Sequence, residues 1–195
     1  MEPHPSYDEF FARITGMARA FVQAWSGTVY RCVERDYAEL PAIADGMGAW
    51  RHGARFNAKQ RFPAVYASLS ADVAVAEALA RLLSMGFERD ELLDDRETVA
   101  IEAAFDRVLD LREESVRNAL QMDGATLHAD WWAEQCAGRE AVCQALGRAL
   151  RDAGIQAILV PSLRYARGVN VVFFPENLDI AAQVLGVRPA RQRRE

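Results

Sequence analysis

At 195 residues, 51% of them hydrophobic, the chain is long enough to bury the core of one domain. A net charge of −5 disfavours wholesale binding to nucleic acid or an anionic membrane, and no apolar run approaches the roughly 18 residues of a membrane span. Three cysteines (Cys32, Cys136, Cys143) fit no zinc spacing, and their odd number argues against a disulfide framework.

Residues 6–25 open with Ser6-x-x-Glu9, a capping box, and then place Phe10, Ile14, Met17, Phe21 and Trp25 on one stripe. Phe11, Ala18 and Val22 widen it. The spacing predicts an amphipathic helix that either covers the core or takes part in an interface. TVYRCV (28–33) reads as a strand carrying Arg31, and residues 34–53 as a long irregular connection ending in Gly-Ala-Arg-Phe-Asn (53–57). A short strand through Val65 and Tyr66 follows. Ser70 then offers a helix N-cap, with Asp72 in the first turn of an alanine-rich helix over 71–84.

Residues 85–96 read as loop or a short helical turn, and 97–105 as a half-buried strand on Val99, Ile101, Ala103 and Phe105. Asp110 is expected to cap a helix over 111–120, and Trp131-Trp132 to pack on the core. A helix over 138–152 closes at Gly154. Strands over 155–161 and 169–174 flank a turn, a short helix follows near 177–186, and the arginine-rich tail is expected to be mobile. The strands outnumber the helices available for regular crossovers, so a mixed, mainly antiparallel α+β domain is expected. The polar, acidic start MEPHPSYDEF argues against a signal peptide and for a cytoplasmic protein.

There is no nucleophile elbow, Walker loop, dinucleotide fingerprint or H-E-x-x-H. His4, His52 and His128 are too scattered for a metal site, and His4 is expected in a frayed terminus. What remains is a set of polar residues at strand ends and loops: Arg31, Arg55, Tyr66, Glu77 and Ser162. Glu77 is the only charge between Asp72 and Arg81, with Val73, Ala74, Ala80 and Arg81 as its helical neighbours. A carboxylate there is either an incidental solvent contact or is held against something that wants negative charge.

Taken in order, Tyr30-Arg31, Gly53-Ala54-Arg55-Phe56-Asn57, Val65-Tyr66-Ala67-Ser68, Glu77, Val160-Pro161-Ser162 and Gly168-Val169-Asn170-Val171-Val172-Phe173 resemble the RES domain, named for its Arg, Glu and Ser. The resemblance covers about residues 28–175, leaving an N-terminal helix (1–27) and a C-terminal short helix with basic tail (176–195) outside it. It implies a split β-core similar to that of ADP-ribosyltransferase toxins. It also implies a bacterial toxin that cleaves NAD⁺ and is restrained by an Xre-type antitoxin blocking the cleft, with nucleic acid involved only through that antitoxin. On that reading Glu77, Arg31 and Tyr66 are the catalytic residues, and Arg31, Arg55, Tyr66, Ser162 and Asn57 bind NAD⁺.

The chemistry is consistent with those roles. Loss of nicotinamide passes through an oxocarbenium-like state that Glu77 can neutralise, while Arg31 and Arg55 grip the pyrophosphate. Tyr66 offers a ring for stacking and Ser162 a hydrogen bond; no metal is required. Transfer of ADP-ribose to a protein is the leading expectation, with water or phosphate as alternative acceptors. A non-catalytic nucleotide or partner-binding module is the reading of another class. Nucleic-acid binding through Arg188, Arg191, Arg193 and Arg194 is disfavoured in an acidic chain.

Overall fold

The computed structural model describes residues 1–17 and 19–190, apart from the Arg81 side chain. Ala18 of the predicted stripe, and Arg191, Arg193 and Arg194 of the tail, lie outside the described residues. The helices are α1 (Tyr7–Gly16), α2 (Met47–His52), α3 (Ala71–Ser84), α4 (Arg89–Asp94), α5 (Glu114–Ala119), α6 (Trp131–Cys136), α7 (Val142–Asp152) and α8 (Ile180–Gln183). The strands are β1 (Val22–Glu34), β2 (Val65–Ser68), β3 (Arg96–Asp110), β4 (Ala157–Pro161), β5 (Val169–Phe173) and β6 (Val184–Pro189).

Strands β1, β2, β5, β4 and β3 follow one another edge to edge, and the long antiparallel pairing of β1 with β3 closes the sheet on itself. β6 joins the other edge of β3. Only the β3–β4 pairing is parallel, so the chain is the mixed, mainly antiparallel α+β protein expected. Alternation along the strands divides the side chains between two faces. Val65, Ala67, Leu159, Val171 and Phe173 form one core with Ile101 and Phe105 of β3. Ile158, Val160 and Val172 point the other way, into a second core with Phe10 and Ile14 of α1 and Leu146 and Leu150 of α7. Along that second face, Tyr66, Ser68 and Asn170 line an open cleft.

Local signals mark several boundaries. Ser70 Oγ accepts the Val73 amide, starting α3 where its cap predicts. Gly154, at φ 75°, follows α7, and the Gly154 and Ile155 amides return to Arg151 and Leu150 as a Schellman closure.

Other expectations give way. The helix predicted over 6–25 ends at Gly16, because the chain beyond it is claimed by β3: Trp25 pairs with Phe105 and the two rings stack at 6.0 Å. The capping box is absent. Ser6 has helical dihedrals and makes no side-chain cap, and Glu9 instead pairs with Arg13 at 3.0 Å. Asp110 ends β3 and binds Arg112, so α5 starts only at Glu114. His4 is pinned, its amide donating to Glu140 at 2.9 Å beside a Glu2–Arg139 bridge. Residues 184–189 form β6, with Arg188 on Glu102 at 2.8 Å.

Candidate active site

The turn Ala54–Asn57 is closed by two backbone hydrogen bonds between its ends, 2.8 and 3.3 Å long. Side chains of three residues, Gln144, Asn57 and Tyr66, hold it. Gln144 on α7 donates to Ala54 O at 3.1 Å. Asn57, fully buried, donates to Ala49 O and Phe62 O. The Phe56 amide donates to the Tyr66 hydroxyl at 2.8 Å, and that hydroxyl donates to Asn57 Oδ1 at 2.9 Å. Gly147 makes the approach of α7 possible, since a Cβ there would lie 1.7 Å from Phe56 O.

Arg55 projects from this turn. It is 8% exposed and donates to Leu127 O and, at 3.2 Å, to Pro161 O. Its Nε is buried with no partner among the described residues. Arg31, on β1, donates to Ile43 O in the 34–53 connection. Desolvation lowers the Arg31 guanidinium to about 10, with Asp45 acting weakly the other way, so it stays cationic at neutral pH. Desolvation also lowers Arg55, partly offset by Cys143. Among the described residues no carboxylate forms an ion pair with either arginine.

Arg31, Arg55, Tyr66 and Glu77 come together in the wall of one cleft of about 780 Å³. Glu77, half-buried on α3, accepts hydrogen bonds at Oε1 from Ser162 Oγ and Asn170 Nδ2, each 2.6 Å long. Ser162 and Asn57 reach the cleft through Glu77 and Tyr66 respectively. Burial raises the Tyr66 phenol, opposed by its bond from Phe56 and by Arg55, so it is neutral. Its hydroxyl is committed to holding the Arg55 turn, which leaves the ring for contact.

Four contributors escape a reading of single residues. Asn170 and Ser68 belong to motifs already noted, but nothing local links them to Glu77; the β2–β5 register sets Ser68 opposite Asn170, and Asn170 in turn donates to Glu77. Trp131 and Trp132 line the cleft instead of packing on the core, with Trp132 41% exposed and the indoles edge to face at 5.6 Å. Asp130 caps their helix through the Trp132 and Ala133 amides, a signal readable beforehand. Among the described residues no group of His, Cys, Asp and Glu could hold a metal, and no helix is long and apolar enough to cross a membrane.

A closed mixed sheet whose cleft gathers Glu77 with Arg31 and Arg55, neither arginine ion-paired among the described residues, can take a polyanionic ligand with a cationic reacting centre. A model of the RES domain matches residues 28–192, and the chain belongs to that family. It is 30% identical over 149 residues to proteins named NAD(+) phosphorylase MbcT from Mycobacterium tuberculosis and Mycobacterium bovis, covering 76% of this chain and 72% of theirs. Its fold is that of the toxin in the crystal structure of the M. tuberculosis MbcT–MbcA toxin–antitoxin complex: TM-score 0.70 at 24% identity, covering 94% of this chain and 92% of that one.

Proposed function

We propose that this protein is a toxin that degrades NAD⁺ by phosphorolysis and is restrained by a cognate antitoxin. The observation that carries the reading is the placing, in one cleft, of Glu77 with Arg31 and Arg55, two guanidinium groups that form no ion pair with a carboxylate among the described residues. A buried cation without an internal counter-ion is costly unless a ligand anion completes it, and a dinucleotide pyrophosphate supplies that anion. The expected preference for a protein acceptor gives way to phosphate because relatives at 30% identity carry the name NAD(+) phosphorylase. The crystallised complex with MbcA favours an antitoxin partner here too.

In this reading the nicotinamide–ribose C–N bond breaks and its electron pair leaves on nicotinamide. The Glu77 carboxylate offsets the charge growing on the ribose, and a phosphate oxygen forms the new bond to the same carbon. Tyr30, Tyr66 and Trp131 line the cleft with aromatic rings suited to the flat heterocycles. Incubating the purified protein with NAD⁺ in phosphate and phosphate-free buffer, with mass analysis of products, tests this. ADP-ribose 1-phosphate and nicotinamide are expected in phosphate only, and E77Q should abolish both. Free ADP-ribose at equal rate in both buffers would mean hydrolysis, modified protein would mean ADP-ribosyl transfer, and binding without turnover would leave a nucleotide-binding module.

A further inference from the structure

Glu77 is held by a chain of side chains that crosses three elements. Ser68 on β2 and Asn170 on β5 are directly opposed, and Ser68 Oγ donates to Asn170 Oδ1 at 2.8 Å. That bond fixes the amide so that Nδ2 faces the carboxylate, to which it donates at 2.6 Å. A flipped amide would set its oxygen against a carboxylate oxygen. From the other side Ser162 Oγ accepts the Arg164 and Tyr165 amides, at 3.1 and 3.0 Å, and passes its own proton toward Glu77 Oε1. Two backbone dipoles thus polarise the hydroxyl that donates to Glu77. Ser68 itself is 2% exposed, so water does not readily replace its bond.

We infer that Asn170 and Ser68 are positioning residues for the NAD⁺-cleaving step, acting through Glu77: the Ser68–Asn170 pair keeps the carboxylate aimed into the cleft. Two donors converging on one oxygen leave the carboxylate a single orientation. Ser162 then serves the carboxylate rather than the substrate. The inference rests on the reading of Glu77 as the group that stabilises the ribose cation.

The test is the pH dependence of kcat/KM and the steady-state kcat for NAD⁺ consumption in phosphate buffer, on the full chain. N170D sets a second carboxylate at hydrogen-bond distance from Glu77, so the two must share a proton and the acid limb of the profile should move up by about one pH unit or more. S68A frees the amide to rotate, and kcat should fall about tenfold while KM for NAD⁺ stays within about twofold. Melting temperatures of both variants separate misfolding from mispositioning, and if N170D fails to fold, S68A carries the test alone. A folded N170D with an unshifted acid limb, or a folded S68A with undiminished kcat, overturns the positioning role. E77Q, run alongside, tells the two levels apart: if it turns over, the function assigned to Glu77 falls with everything built on it, and if it is inactive, only the roles of Asn170 and Ser68 are at stake.

Discussion

Arg55 is held by two carbonyl oxygens and by the face of Phe56, 5.0 Å from its guanidinium carbon, so its geometry is set by neutral groups while its charge stays available. A planar fork suits this double role, with Nη1 and Nη2 each on a carbonyl and further N–H protons left over for a ligand. Lysine keeps the charge but has no fork. On the proposed reading R55K should therefore raise KM for NAD⁺ about tenfold with a smaller change in kcat, since the pyrophosphate would lose part of its ground-state grip. Steady-state kinetics decide it; an unchanged KM would mean that Arg55 only props the turn. At this scale the candidate residues were legible as types, because an acid inside an alanine-rich helix and arginines at strand ends are visible in the chain. Their division of labour was not. Nothing in the sequence around Tyr66 indicates that its hydroxyl is consumed by Phe56 and Asn57, and Ser162 reads as a substrate donor until Glu77, 85 positions away, appears beside it.

Elements differ in how far local signals decide them. α3 and the end of α7 carry their own caps and stand where those caps predict. Past Gly16 the apolar spacing of three and four continues, yet from Val22 the chain is strand, because twelve residues of β3 pair with it antiparallel across one irregularity between Gln23 and Trp25. Trp25 satisfies both periods, and only the distant partner decides. The contact between α7 and the Arg55 turn is of the same non-local kind. Gly147 Cα lies so close to the turn that an added methyl would sit 2.7 Å from Phe56 C as well as 1.7 Å from its oxygen. G147A improves helix propensity but must push the turn away. The expected net cost is about 1–3 kcal/mol of stability, as for overpacking elsewhere. Because the turn carries Arg55, KM for NAD⁺ should rise as well. Denaturant unfolding and kinetics on the one variant measure both, and a more stable G147A with normal KM would show that the turn yields freely.

Over the whole molecule, closure of the sheet is what brings the site together: Arg31 comes from β1, Tyr66 from β2, Asn170 from β5 and Ser162 from the end of β4, with Glu77 on the helix that follows β2. β3 is the seam, since it pairs with β1 along its length on one edge and with β4 and β6 on the other. β6 covers the stretch of that edge that β4 does not reach. Val184 is buried there, and Arg188 meets Glu102, which also accepts from Thr28 of β1 at 2.9 Å. Those two donors hold the exposed Glu102 carboxyl below its usual range, so this clasp is complete at neutral pH and loosens as the pH falls through the lowered value. Ending the chain after Gln183 removes the clasp and bares an unpaired strand edge, and the lost burial of Val184 alone costs about 2 kcal/mol. The truncated protein should melt at lower temperature and self-associate in size-exclusion chromatography. What survives should still bind NAD⁺, because none of Arg31, Arg55, Tyr66 and Glu77 stands on β6. A truncated chain as stable and monomeric as the parent would mean that β4 alone secures the far edge of β3; loss of NAD⁺ binding in a chain that remains folded would mean that the seam itself shapes the cleft.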